Sequence, residues 1–290
     1  MTVATVPDAP AATGAAAAPG ERTGRDGARW RGIVPPAAVA VLFLGLWYGI
    51  SYLAFPDPVR RSVLLPPPHQ VVEGAFLDPA RAAELVGSLW LTTQVALVGL
   101  AFAIVLGMST AILMSQARWL ERSLFPYAVI LQTIPILALV PLLGFWFGFG
   151  FTARVIVCVL IALFPIIANT LFGLRSADAG MHDLFTLHGA SRWTRLVRLQ
   201  LPAALPATFA GLRIAAGLSV IGAVVGDFFF AQGRPGIGRL IEVYRSRLLI
   251  EEMFGAILLA SSLGVVVFLL FGWLARRAIG SWHDVGSTGP

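Results

Sequence analysis

Six apolar runs, each close to or above twenty residues, constrain this chain more than any other feature. They cover Ile33–Phe55 and, approximately, Val86–Met114, Leu124–Leu143, Ala153–Leu174, Ala203–Phe230 and Phe254–Ala275. About twenty helical residues rise ~30 Å, the thickness of a bilayer's hydrocarbon. A soluble fold of 290 residues with 57% hydrophobic and only 12% charged side chains has too little polar surface to cover its core; an average soluble domain is about 25% charged. The expected class is therefore all-α, a polytopic membrane protein with six transmembrane helices. The second and fifth runs exceed the hydrocarbon thickness and are expected to tilt or protrude.

Between the runs the chain is basic, and every one of the 21 basic residues is Arg. The arginines are scattered among the connecting segments rather than gathered into one patch, which argues against nucleic acid and for cationic membrane-flanking loops. With the N-terminus placed inside, twelve arginines fall on inner segments and eight on outer ones, Arg154 and Arg234 among the outer eight. Both termini are then expected in the cytoplasm. Without Lys, no phosphate-binding loop of the G-x-x-x-x-G-K type is possible. There is no H-E-x-x-H, C-x-x-C or G-x-S-x-G pattern, and the four His have no metal-ligand spacing. The chain reads as non-catalytic, without a cofactor or metal of its own. Cys158, alone in an apolar run, cannot form an internal disulfide.

Three parts are expected: a disordered cytoplasmic tail over 1–30, a six-helix membrane domain over 31–280, and a second cytoplasmic tail over 281–290. Prolines 126, 135 and 141 interrupt the third run and Pro165 the fourth, while Gly211, Gly217, Gly222 and Gly226 line the fifth. Kinked, small-residue helices of this kind pack closely.

The long segment 175–202, RSADAGMHDLFTLHGASRWTRLVRLQLP, carries the sharpest signal. A short helix is expected from Met181 to His188, with Asp183 near its positive end. Gly189 permits a sharp turn. A second helix follows over Ala190–Gln200, striped by Arg192, Arg195 and Arg198, with Pro202 where the fifth span starts.

This segment resembles a motif of the permease subunits of bacterial binding-protein-dependent ABC importers, E-A-A-x3-G-x9-I-x-L-P. Asp183 falls where the family has Glu, Gly189 takes the glycine position, Leu199 the isoleucine, and Leu201-Pro202 the terminal Leu-Pro. Leu184 and Phe185 stand where two Ala are usual. Leu65-Pro66-Pro67-Pro68 after the first span and GDFFFAQGRPGIGRLI after the fifth are similar to the nitrate/sulfonate/taurine-type permeases. The GDFFF form resembles the branch linked to vitamin precursors such as riboflavin or the thiamine pyrimidine.

The resemblance implies a type I ABC importer permease fold and a transmembrane path for a small solute. The coupling loop, 175–202, would meet a separate ATP-binding subunit through Asp183, Leu184, Phe185, His188, Gly189, Ala190 and Ser191, with ATP and Mg held by that partner. A second permease copy, an identical one, and an extracytoplasmic substrate-binding protein would complete the assembly. Polar residues inside the runs, Gln132, Thr133, Asn169 and Asp227, are candidates for the path, because polar groups in hydrocarbon are costly unless used. A stand-alone secondary transporter is the alternative; it would want more intramembrane acids than Asp227 and an inverted repeat.

Overall fold

The computed structural model describes residues 25–230 and 232–280, so the expected tail 281–290 and residues 1–24 of the first tail lie outside the described residues. Residues 25–30, expected in that tail, already belong to a helix. α1 runs Arg25–Ala54, and its part from Val34 onward is long and apolar enough to cross a membrane. The chain divides near Ile50 into a unit holding most of α1 and a second unit from Ser51 onward.

The second unit is helical throughout its described residues. Two short helices come first, α2 (Pro58–Leu64), capped by Asp57, and α3 (Pro68–Val72), which runs on through a π turn to Leu77. α4 (Pro79–Gln116) is 38 residues long. Asp78 caps it by accepting the amide of Ala80 at 3.0 Å, and Pro79 at the first helical position lacks only an amide that would have been orphaned anyway. α5 (Arg118–Thr133) and α6 (Ile136–Phe147) follow, then α7 (Phe151–Arg175), α8 (Ala179–Leu187), α9 (Arg192–Arg195), α10 (Leu201–Phe229), α11 (Ile237–Ser246) and α12 (Ile250–Ile279).

One expectation is sharpened and one corrected here. The third apolar run, expected to be interrupted by prolines, bends by 100° between α5 and α6. Pro135 offers no amide and its ring drives the preceding residue out of the α region, and Ile134 is indeed extended at ψ 127°. Among the described residues five helices are therefore long and apolar enough to cross a membrane, six if the bent pair counts as one span. The correction concerns Ala190–Gln200, which is no separate helix before the fifth span. α9 continues through a π turn (Leu196–Gln200) into α10, giving one helix from Arg192 to Phe229. Pro202 sits just after the π turn, at the second residue of α10. The extra residue in the preceding turn, where Leu201 donates to Leu196, relieves the crowding that a proline ring causes one turn back.

α7 is the centre of the unit, clasped between α4 and α10. The approach is close because glycines face it. A Cβ on Gly99 of α4 would strike the Cys158 side chain, and one on Gly211 of α10 would come within 2.8 Å of the Pro165 carbonyl. Cys158, Ala162 and Ile166 of α7 pack with Val95, Leu100 and Ala103 of α4 and Ala215, Ala216 and Val220 of α10. The outer faces stay apolar and uncovered, as at Phe102, Val105, Val265 and Leu269, all more than half exposed. Lipid solvates such faces, so no soluble fold needs to hide them.

Ion pairs and contacts order the ends. Arg81 near the start of α4 pairs with Glu252 near the start of α12, and Arg154 near the start of α7 pairs with Asp227 near the end of α10. At the other end, Leu174 of α7 packs with Ile112 of α4 and with Leu196 and Ala204. α4, α7 and α12 thus run one way and α10 the other, and the α8–α9 loop lies at the end where α4 and α7 finish.

Candidate functional site

The α8–α9 loop is built from hydrogen bonds local to its own sequence. Asp178 caps α8, accepting the Gly180 amide at 2.8 Å. The acid at the positive end of this helix is therefore Asp178; Asp183, expected there, lies five residues further on as an exposed residue in the helix interior. α8 stops in a Schellman turn: Gly189 donates to the Thr186 carbonyl and Ala190 to the Phe185 carbonyl, both at 3.0 Å. The turn requires a left-handed residue, and Gly189 supplies it at φ +61°. His188 turns its Nδ1 to the Leu184 carbonyl at 2.9 Å. Ser191 then caps α9, accepting the Thr194 amide at 3.1 Å, and Arg195 ties the two helices by donating to the Thr186 hydroxyl at 2.9 Å.

A rigid loop of this kind presents a surface. No residue of α8 is buried. Met181, Leu184 and Leu187 stand exposed at i, i+3 and i+6, with Leu187 85% exposed. Leu184, Phe185, His188, Ala190, Thr194 and Arg198 line a recess of about 300 Å³ between α8 and α9. Arg192 and Arg198 are exposed beside it, and Arg195 is half-buried through its bond to Thr186. The motif's far end turns inward instead: Leu199 is buried, and Leu201 packs on the Leu174, Leu196 and Ala204 cluster that roots the loop on α7. Pro202 is exposed. The arrangement can bind an apolar or acidic protein surface. It holds no group of His, Cys, Asp and Glu able to take a metal among the described residues.

The residues expected to line a path are not gathered into one place. Gln132 and Thr133 are exposed on the last turn of α5, where the Thr133 hydroxyl donates to the Ile130 carbonyl at 2.9 Å. Asn169 donates to the Pro165 carbonyl of its own helix at 2.8 Å and packs against Gly211. It is fifteen residues from Arg154, about 22 Å along α7. Asp227 is fully buried and enclosed in a polar cluster rather than facing open space.

That cluster is the second organised site. Asp227 lies 3.1 Å from Arg154 Nη1, accepts the Thr92 hydroxyl at 2.6 Å, and accepts the Gly238 amide at 3.4 Å. The Thr92 oxygen in turn accepts the Ile237 amide at 2.8 Å. Arg154 also donates to the carbonyls of Phe230, Gln232 and Arg234. Four helices, α4, α7, α10 and α11, and the segment between the last two are knotted by one Arg and one Asp. Arg154 was expected in an outer loop; it lies in the first turn of α7 and is 1% exposed. The Gly236-x-Gly238 pair has a tertiary cause. A Cβ on Gly236 would fall on the Asp227 carboxylate, and one on Gly238 on the Val224 carbonyl. Arg213, within the fifth apolar run, stacks on the Phe268 ring at 3.8 Å.

Comparison with known proteins bears on both sites. Residues 103–280 match the family described as binding-protein-dependent transport system inner membrane component, a stretch containing the whole α8–α9 loop and the Arg154–Asp227 cluster. The chain is 37% identical over 220 residues to the formylaminopyrimidine transport permease protein ThiX of Halalkalibacterium halodurans, covering 72% of this chain and 82% of that one. It is 31% identical over 250 residues to the riboflavin transport system permease protein RibX of Chloroflexus aurantiacus, covering 86% of this chain and 90% of that one. Among solved structures it is similar in fold to a chain of the MetNI methionine ABC transporter in an inward-facing conformation. There the TM-score is 0.60 at 19% identity, covering 69% of this chain and 99% of that one.

Proposed function

The chain belongs to the binding-protein-dependent transport system inner membrane component family, and from that premise we propose that its α8–α9 loop is where a separate ATP-binding subunit takes hold. The chain is the multi-pass, membrane-spanning permease component of an ABC transporter, and its relatives' names speak for this against a stand-alone transporter. The observation that carries the coupling proposal is the exposed apolar row Met181, Leu184 and Leu187 on a helix with no buried residue, held by the Gly189 turn. A helix that buries nothing in its own chain gains its stability from a partner.

In this reading Asp183, Leu184, Phe185, His188, Gly189, Ala190 and Ser191 form the contact, and Leu199, Leu201 and Pro202 root it on the fifth span. ATP and Mg belong to the partner. Two identical permeases frame the path, a substrate-binding protein delivers the solute on the far face, and both termini are cytoplasmic. The names of the ThiX and RibX relatives support a small vitamin-related heterocycle as solute over a sulfonate-like anion. For the path, Gln132, Thr133 and Asn169 remain the proposed polar contacts, and Asp227 supports it from behind. The test is a pull-down from detergent-solubilised membranes of tagged wild type beside a deletion of 181–190. Wild type is expected to hold an ATPase that the deletion loses; a folded wild type holding none removes the loop from the mechanism.

A further inference from the structure

We propose that the recess between the start of α5 and the end of α7 binds the phosphate of an anionic phospholipid. The recess, about 670 Å³, is lined by Arg118, Glu121, Arg122, Phe125, Pro126 and Arg175. Glu121 is matched by its ion pair with Arg175. Arg118 and Arg122, at i and i+4 on one face of α5, are exposed and have no ion pair or hydrogen bond among the described residues. Two guanidinium groups left over beside a neutralised pair make a cationic socket, and guanidinium matches phosphate in geometry as well as charge.

The position selects a lipid over a free anion. Arg118 comes two residues after Gln116, where the 38-residue apolar α4 ends, and Arg175 is the last residue of α7. α7, 25 residues or about 37 Å long, is just long enough to cross about 30 Å of hydrocarbon and end in the headgroup layer, so its last residue, Arg175, puts the socket at phosphate depth. Its remaining wall, Phe125 and Pro126, lies one turn further along α5 and offers apolar contact to glycerol and upper acyl chain. Trp119 and Tyr127, 69% and 66% exposed, flank it as amphipathic anchors of the kind found at membrane interfaces. Inorganic phosphate would share the arginines but not these apolar contacts. The lipid would also steady the root of the α8–α9 loop, because Asp178 follows Arg175 by three residues. The inference needs only that the chain crosses a membrane; it does not depend on what the loop binds.

The experiment is native mass spectrometry of the full chain in neutral detergent, titrated with phosphatidylglycerol or phosphatidylcholine. Wild type is expected to prefer phosphatidylglycerol, and R118Q/R122Q to bind it roughly thirtyfold more weakly, the loss for two arginines near an anionic lipid surface. R118K/R122K keeps the charge and is expected to keep most of the preference, which separates binding from folding if the Gln variant is unstable. R276Q/R277Q removes the same charge from the end of α12 and is expected to change little. Equal losses in both Gln pairs would mean a diffuse basic surface and overturn the proposal, as would an unaltered preference in R118Q/R122Q. Displacement of phosphatidylglycerol by millimolar inorganic phosphate would reassign the socket to a free anion.

Discussion

Arg154 and Asp227 lie 3.1 Å apart with at most 2% of either side chain exposed, one at the start of a helix and the other at the end of its antiparallel neighbour. A buried pair is costly to assemble but more costly to break, because the survivor is left charged and unpaired. Here the survivor would also lie within a membrane-crossing length of helix.

Asp227→Ala is therefore expected to destabilise the unit by about 3–5 kcal/mol. Arg154→Met should cost a similar amount, since it also strips the carbonyls of Phe230, Gln232 and Arg234 of a donor. The double variant should cost less than the sum, with a coupling of roughly 1–3 kcal/mol in a double-mutant cycle by thermal unfolding in detergent. A cycle with no coupling would deny the pair its role.

Gly189 offers a test of shape against bulk. Nothing lies within 4 Å of an added Cβ, yet its φ is +61°. Gly189→Val is expected to strain the turn by about 1–2 kcal/mol and to lower ATPase capture while the membrane helices melt as before. Gly189→Asn, which tolerates left-handed backbone, should retain capture. Loss in both variants would point to contact at the glycine itself.

Gly236 is the opposite case. Its Cβ would land on the Asp227 carboxylate, so Gly236→Ala is expected to lose about 1–3 kcal/mol by overpacking. Gly217→Ala in α10 has open space around it and should gain roughly 0.5–1 kcal/mol from helix propensity. The two melting shifts, measured side by side, should have opposite signs.

Tyr244 on α11 predicts an alkaline limit. Burial, and then its hydrogen bond to Glu84 at 3.0 Å, push the phenol's pKa up. The folded state holds the proton more tightly than the unfolded chain, whose tyrosines titrate near 10. Stability from this site is complete below about pH 10 and falls as pH rises past it. Tyr244→Phe should flatten that alkaline decline in pH-dependent unfolding curves while costing about 1 kcal/mol at neutral pH.

The helices were legible because hydropathy is a local property: every apolar run became helix, and the Gly189 turn was readable since only left-handed backbone explains a glycine there. What failed was tertiary. Arg154 looked like a loop residue because its partner is 73 positions away. The need for glycine at 236 and 238 was not legible, because the groups that forbid their side chains, the Asp227 carboxylate and the Val224 carbonyl, both come from α10. Pro135 was visible as an interruption, but a 100° bend depends on where the chain goes next. Asp178 was passed over for Asp183 because a shift of two residues in the helix start, from Met181 to Ala179, changes which acid is the cap.

One helix runs unbroken from Arg192 to Phe229, 38 residues, or about 57 Å at 1.5 Å per residue. Its first two turns carry the loop's arginines and its last turn carries Asp227. A rod of that length amplifies angle into distance: a tilt of about 5° about one end sweeps the other through roughly 5 Å. The π turn before Pro202 and the missing amide at Pro206 are the places where its hydrogen-bond ladder is weakest and can absorb torque. A small rotation imposed at the loop would thus arrive at the opposite membrane face as a displacement the width of a side chain, delivered to the residue that knots that face together.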